Sequence, residues 1–495
     1  MTASPAGTRL DPYLDDSGPL GGYVDGDWVP THGEPITVED PATRVELATV
    51  RDATPDDVGA AVASARAAYT SAWRDTRPAD RAQVLFRIAA VLREHAPGLA
   101  RLETLDTGKP LRQARSDVAT AARYFEFYAG AADKLYGDVI PGEGDYWSYT
   151  LREPYGVVGH VTPWNSPISQ MCRGVAPCLA VGNTVVVKPS ELTPLTSLVA
   201  ARLFTEAGLP PGACNVIAGR GPTAGAALVR HPDVAHVAFT GSVPTGREIL
   251  RMAAERIIGA NLELGGKSPT IILPDADMAT AVQAGAMAVV RNAGQSCFAT
   301  TRLLVHRSVE AEYAQRLADA VAHLSVGPGL DDPDLGPVAS AQQLRKVTDA
   351  IESGRREGAT VAVGGTRPAG LDGYFITPAV LTGVRNDMAV ARQEIFGPVQ
   401  TVIAFDDLDE AVALANDSAY GLAAGVFTRD IAVAHRVARQ LEAGQVQNNG
   451  YPLGGVETPF GGYKSSGLGR EKGLAALEHY TQLKTVIVSN SGGPW

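Results

Sequence analysis

Apolar residues recur along this chain at two different intervals, and the change from one to the other divides it. Across residues 54–70, 78–95 and 111–135, alanine and leucine return at helical spacing, with Asp56 and Asp57 near a first turn, so a helical lead-in is predicted. From Tyr155 onward the pattern shortens into apolar runs at 156–161, 184–188, 214–218 and 234–239, separated by helix-like stretches such as 194–207 and 247–258. Short strands alternating with helices are the signature of β-α-β units and a parallel sheet, where nucleotides bind beyond the strand ends. A second alternating set follows Glu263, with strands at 302–306, 400–405, 425–427 and 444–448 and helices at 309–324, 408–416 and 431–441. Two α/β domains are therefore expected. Strand-like pieces at 136–152 and 485–489 fall outside both sets, and by pattern alone they would be edge strands.

Composition narrows the class. A chain of 495 residues is too long for one ordinary core, and 45% hydrophobic residues can bury substantial apolar area. The net charge of -11 argues against nucleic acid or an anionic membrane as partner, because neither is drawn to an acidic surface. The N-terminal residues 1–22 are polar and carry Asp11, Asp15 and Asp16, which reads as an arm rather than a secretory signal. No apolar run approaches the roughly 18 residues of a membrane span. Four cysteines with no Cys-x-x-Cys pair fit a reducing cytoplasm and offer neither a disulfide framework nor a zinc site, and the nine histidines form no ligand pair.

Cys297 changes the picture. It follows Asn292-Ala293-Gly294-Gln295-Ser296, a small and polar turn after the apolar 284–290, where substrate could reach a thiol. Alone, such a cysteine is more often a buried filler, as Cys172, Cys178 and Cys214 read within apolar stretches. A second segment, Phe239-Thr240-Gly241-Ser242-Val243-Pro244-Thr245-Gly246, turns from a strand into a helix and would offer backbone N–H groups to a pyrophosphate. It is no P-loop, since Arg247 and Glu248 stand where Lys and Ser/Thr would hold phosphate and magnesium, and no good G-x-G-x-x-G follows a strand. In isolation it would be an ordinary helix-capping loop.

The chain resembles the aldehyde dehydrogenase superfamily at Thr162-Pro163-Trp164-Asn165, Lys188-Pro189-Ser190-Glu191, Glu263-Leu264-Gly265-Gly266-Lys267-Ser268-Pro269, Glu394-Ile395-Phe396-Gly397-Pro398 and Pro459-Phe460-Gly461-Gly462-Tyr463-Lys464-Ser465-Ser466-Gly467. These blocks stand in the family's order and spacing from about residue 20 to the C-terminus. The resemblance implies an α/β fold of two parallel-sheet domains plus a β-arm. On that pattern, 1–125 with 153–262 would bind NAD, 263–479 would be catalytic, and 126–152 with 480–495 would form an arm that joins copies into a homodimer or homotetramer.

The same resemblance implies a reaction. Cys297 matches the nucleophile that forms a thiohemiacetal and then a thioester, and sulfur suits both steps because the thioester is readily hydrolysed. Asn165 and the backbone N–H of Cys297 match the donors to the adduct's oxyanion, although an asparagine here also suits a turn. Glu263 matches the base that activates the deacylating water. Its place between Leu262 and Leu264 would raise its pKa toward working pH, whereas a strand-end glutamate would ordinarily be solvated. Relatives that pass the acyl group to coenzyme A lack this glutamate, so a free acid is the expected product. Lys188 and Glu191 match contacts to the adenosine ribose, Gly241 and Ser242 to pyrophosphate, and Glu394 to the nicotinamide ribose; Phe396 and Trp164 match the nicotinamide pocket. Glu191 would repel a 2′-phosphate, which favours NAD over NADP.

The resemblance implies an aldehyde as substrate, and the sequence says less about which one. Ser166 and Phe298 replace a larger and a smaller residue common in relatives. Arg173 and Arg291 match arginines that hold the carboxylate of succinate semialdehyde in one subfamily, and such a pair would suit an ω-carboxylate. Against it, Gly454-Gly455 replaces that subfamily's serine contact, and the arginines could equally pair with acidic neighbours or at a subunit interface. A silent structural member of the fold would typically lose the thiol or the base, and both are present; thiol esterase chemistry would be a side activity.

Overall fold

The computed structural model describes residues 20–142 and 144–490; most of the expected N-terminal arm, and 491–495 of the expected C-terminal one, lie outside the described residues. Valine-rich runs with no polar alternation become strands buried on both faces, as such runs must. Val157–Val161, Thr184–Lys188, Cys214–Ile217 and Val234–Thr240 are almost wholly buried and pair in parallel, joined by Gly259–Glu263. Across the sheet the order runs Cys214–Ile217, Thr184–Lys188, Val157–Val161, Val234–Thr240, Gly259–Glu263. The chain therefore reverses direction of travel between Val157–Val161 and Val234–Thr240. A crevice opens beyond the carboxyl ends of strands at such a switch point.

The second sheet orders Thr360–Val363, Ala379–Thr382, Val399–Phe405, Arg302–His306, Pro269–Ile272, Ala423–Phe427 and Gln445–Asn448, parallel except at its first pair. A third sheet lies apart from both. In it Thr481–Ser489 runs antiparallel to Tyr146–Pro154, which pairs in turn with Val139–Ile140. The two edge strands expected from pattern are thus partners in one ribbon.

The helix expected at 111–135 ends earlier, as Leu111–Ala131, and the helices that went unexpected include Ala96–Thr107, Pro167–Ala180 and Ala341–Arg356. Each hides its signal. Pro97 or Pro167 in a first turn reads as a breaker although it is tolerated there, and Ala341–Arg356 is so polar that only Val347, Ile351 and Gly354 are buried. The strand Pro269–Ile272 is only four residues long and also begins with proline.

The helices Ala96–Thr107 and Leu111–Ala131 meet over a buried charge cluster. Lys109 Nζ donates to Glu103 Oε1 at 3.2 Å, Asp117 Oδ2 at 2.5 Å and Ser166 Oγ at 3.2 Å, while Thr196 donates to Glu103 Oε2 at 2.7 Å. Removing one member of a buried ionic cluster strands the others without water. Lys109→Met is therefore expected to cost about 3 to 5 kcal/mol, seen as a lower urea midpoint. Lys109→Arg, which keeps the charge, is expected to lose less.

Candidate functional site

Cys297 is positioned by a backbone that few sequences would adopt. The helix Met278–Val290 gives way to Asn292, Ala293 and Gly294 with φ of 48°, 51° and 71°, three successive residues in the left-handed region. For Asn292 and Ala293 this conformation costs about 1 to 2 kcal/mol each, so neighbours must hold it. Gln113 Oε1 accepts from the Asn292 backbone N–H at 2.7 Å, and Asn292 Nδ2 donates to the Asn165 carbonyl at 2.7 Å. Gln295, fully buried, donates to the Asn292 carbonyl at 2.9 Å and accepts from the Ala339 N–H at 2.9 Å. At Gly294 a Cβ would sit 2.3 Å from the Gly397 carbonyl oxygen, so the turn also needs glycine. The outcome is a half-buried thiol on a fixed loop. Cys172, Cys178 and Cys214 are all buried.

Two cavities meet at that thiol. One, of about 410 Å³, is lined by Trp164, Asn165, Gly241, Ser242, Glu263, Glu394, Phe396 and Cys297. The other, of about 600 Å³, is lined by Asn165, Arg173, Arg291, Cys297, Phe298, Phe460 and Lys472 among others. Most residues singled out by sequence therefore converge. Lys188 and Glu191 do not line the first cavity; they sit at its edge, where Leu192 does. Lys188 Nζ donates to the Gly219 carbonyl at 3.0 Å and lies 3.6 Å from Glu191.

The first cavity has the features a dinucleotide needs. It lies at the carboxyl ends of Val157–Val161 and Val234–Thr240, the switch point, and Gly241 and Ser242 place the positive end of the helix Val243–Arg256 on its wall. Ser242 caps this helix by accepting from the Thr245 N–H at 3.3 Å, the capping role expected of the segment in isolation. Trp164 and Phe396, both on its lining, meet edge to face at 5.2 Å. Glu394 Oε1 accepts from the Gly266 N–H at 3.0 Å, and burial raises this carboxyl above its usual range. The paired glycines are sterically required. A Cβ on Gly265 would meet the Glu394 carboxylate at 2.1 Å, and one on Gly266 the Cys297 carbonyl at 2.6 Å.

Glu263 ends the strand Gly259–Glu263 with 2% of its surface exposed and, among the described residues, no hydrogen-bond partner for either carboxylate oxygen. Burial first, and Glu471 next, push its carboxyl well above the usual range, with Arg173 opposing. The Cys297 thiol is pushed up to about 12, chiefly by burial; Arg173 pulls it down while Glu263 and Glu394 add to the rise. Asn165 donates one Nδ2 hydrogen to the Gln295 carbonyl at 2.9 Å, which leaves its second N–H.

Arg173 is placed differently from the expected clamp. Its guanidinium is ion-paired through Nε to the buried Glu471, donates to Thr240 Oγ1 at 3.2 Å and lies 5.6 Å from the Phe460 ring centre. A buried carboxylate already occupies it, so Arg173 does not join Arg291 as a free pair for a substrate carboxylate. Glu471 and Lys472 escaped the sequence reading because Gly469-Arg470-Glu471-Lys472-Gly473 looks like an ordinary solvated charge run. Lys267 is another surprise: buried, without a hydrogen-bond partner and pushed down to about 7 by burial and by Arg302. Among the described residues no cluster of three or more His, Cys, Asp or Glu could hold a metal ion.

Comparison with known proteins agrees with this arrangement. Residues 28–486 match the model of the aldehyde dehydrogenase family. A betaine aldehyde dehydrogenase of Brucella anthropi is 45% identical over 92% of this chain and 94% of its own, and a mitochondrial aldehyde dehydrogenase of Arabidopsis thaliana, family 2 member B4, is 43% identical over 96% and 88%. Among solved structures, the NAD+ complex of an aldehyde dehydrogenase from Bacillus cereus superposes with a TM-score of 0.93 at 43% identity, covering 95% of this chain and 96% of that one. A betaine aldehyde dehydrogenase from Staphylococcus aureus, also with NAD+, gives 0.94 at 39% identity, covering 97% and 96%. With its sequence matched almost end to end and its fold superposed on solved members, this chain belongs to the aldehyde dehydrogenase family.

Proposed function

We propose that the protein oxidises an aldehyde to the free carboxylic acid with NAD, using Cys297 as nucleophile and Glu263 as base. The observation that carries this reading is the position of the thiol, on the wall shared by a polar cavity and a cavity fit for a dinucleotide, with an unpartnered carboxylate on the same wall. NAD, when bound, supplies the hydride acceptor. Residues 20–125 with 153–262 would hold it, and 263–479 would carry the nucleophile.

Burial keeps the Cys297 thiol protonated at neutral pH, so addition to the carbonyl needs a proton acceptor. Glu263, whose charge bears on the thiol, takes that role. The C–S bond forms and the carbonyl oxygen becomes an oxyanion, which the spare N–H of Asn165 and the Cys297 amide stabilise. Hydride leaves as the carbonyl reforms and yields the thioester. Glu263 passes the thiol's proton to solvent; water then attacks, Glu263 accepts its proton, and the acid departs as the C–S bond breaks and the sulfur leaves as a thiolate. The raised Glu263 carboxyl suits this work, because once ionised it is a stronger base than an ordinary carboxylate.

The three-stranded ribbon supports a homo-oligomer. It leaves Trp147, Leu151, Leu483, Ile487 and Val488 exposed along paired strands, and a second copy would cover them. Among the described residues no helix is long and apolar enough to cross a membrane.

Four outcomes are expected. Cys297→Ala abolishes NADH formation with every aldehyde while NAD still binds, measured by absorbance and by calorimetry. For Glu263→Gln, which removes the base of both addition and deacylation, a stopped-flow trace shows no fast burst of NADH and turnover slowed by about a hundredfold or more. Wild-type steady-state turnover falls as pH drops through the raised Glu263 pKa, since the base is lost on protonation, and the variant's residual rate lacks that limb. Glu191→Ser narrows the NAD preference, read as the ratio of kcat/KM for the two cofactors; equal use of NADP by wild type would remove the role given to Glu191.

A further inference from the structure

The larger cavity beside Cys297 holds a second group able to attack a carbonyl. Lys472 is the one lysine on its lining among the described residues; it is half-buried, and its Nζ has neither a hydrogen bond nor an ion-pair partner there. Its backbone is fixed on both sides. Lys472 has a φ of 61°, in the left-handed region disfavoured for residues other than glycine. Before it, Glu471 exchanges two backbone hydrogen bonds of 2.7 Å with Phe460 and buries its carboxylate against Arg173; after it, the Gly473 N–H donates to the Val456 carbonyl at 2.8 Å. The Lys472 ammonium lies 5.6 Å from the Phe460 ring centre, and that ring meets Phe298, the residue after Cys297, at 5.9 Å.

The surroundings favour the neutral amine. Burial acts first, then Arg173, with Arg291 adding to them and Glu457 and Cys297 opposing, and the ammonium is pushed down to about 8. Lys472 acts in turn on the carboxyls of Glu263 and Glu471. A desolvated lysine beside other cations is the setting in which an amine becomes a nucleophile toward carbonyl groups. Position matters as much as basicity. Lys267 is pushed down further, to about 7, yet only 2% of it is exposed and it lines neither cavity at the thiol, while Lys346 opens on the dinucleotide cavity. Lys472 combines the free amine with a place on the wall of the cavity that contains Cys297.

We propose that Lys472 is a second aldehyde-reactive group of this site, an amine that captures the aldehyde reversibly as an imine and so arrests the enzyme when aldehyde is in excess. The proposal rests on the reading of this cavity as the aldehyde's. The nitrogen lone pair adds to the carbonyl carbon, a C–N bond forms, and one amine hydrogen moves to the oxygen to give a carbinolamine. The C–O bond then breaks as the second amine hydrogen joins the oxygen, which departs as water and leaves C=N. Nothing is oxidised or reduced, and water reverses each step. At low aldehyde the thiol prevails, because hydride transfer draws its adduct forward. The imine has no such exit, so its share grows with aldehyde concentration, and it occupies the cavity in which the thiol is reached.

The test has two arms, both on the full chain. In the first, Cys297→Ala is incubated with pentanal and cyanoborohydride, which reduces imines to stable secondary amines, and peptide mass spectrometry reads the alkylation of each lysine. Lys472 is expected to react about tenfold faster or more than the exposed Lys134 and Lys484, with a rate that climbs as pH rises through about 8. The second arm measures steady-state oxidation of pentanal with NAD. Inhibition by excess aldehyde is expected in wild type, deepening as pH rises through about 8, and is expected to vanish in Lys472→Arg, whose guanidinium keeps the charge and forms no such imine. Alkylation of Lys472 no faster than that of the exposed lysines would overturn the capture site. Excess-aldehyde inhibition that is absent from wild type, or that persists in Lys472→Arg, would overturn its part in turnover. If wild type oxidises no aldehyde while Lys472 is alkylated, the reading of Cys297 fails and the amine site stands; oxidation without alkylation gives the reverse.

Discussion

The pairing of Arg173 with Glu471 is the contact on which the site's other arrangements depend. Arg173 comes from the helix Pro167–Ala180, and Glu471 from a segment whose backbone exchanges two hydrogen bonds of 2.7 Å with Phe460. The pair therefore draws the C-terminal segment against the helix that follows Asn165, and brings the Phe460 ring to the cavity wall. Both groups are buried, so either alone would be an uncompensated interior charge, costing several kcal/mol. Their fields reach further: Arg173 pulls the Glu263 carboxyl and the Cys297 thiol down, and Glu471 pushes Glu263 up. Burial outweighs both fields, so the carboxyl and the thiol stay above their usual ranges.

Around that pair, the loop bearing the thiol is maintained by polar contacts rather than packing. Asn292 and Ala293 would relax from their left-handed conformation if Gln113, Asn165 and Gln295 did not hold their backbone groups. Gln113 comes from the helix Leu111–Ala131, Asn165 follows a strand of the first sheet, and Gln295 reaches Ala339, 44 residues further along the chain. The thiol's position is thus the joint product of several elements distant in sequence. A loop over-determined in this way loses little entropy when substrate arrives.

Much of this was legible because it is local. Runs of valine announce strands buried on both faces, and the segments around Gly241, Glu263 and Cys297 each carry their own turn or strand-end signal. What was not legible is what depends on remote partners. Nothing near Arg173 says that a glutamate almost 300 residues later will claim its guanidinium, and nothing in the charged run at Glu471 says that it folds inward. The helix Ala341–Arg356 was lost for a related reason, since a helix that buries only three residues leaves almost no apolar rhythm to read.

The two cavities share Cys297, Asn165 and Gln170, and their rims are otherwise formed by different stretches of chain: Leu192 and Gln342 on one side, Leu453, Gly454 and Gly455 on the other. The thiol therefore stands in a passage with two doors. A molecule entering by one door meets the thiol without crossing the route used by the other, so occupancy of one side sets no queue for entry at the other. Traffic through such a passage is governed by how long each occupant stays, and a bulky plug at either door would silence the centre while leaving the opposite approach open.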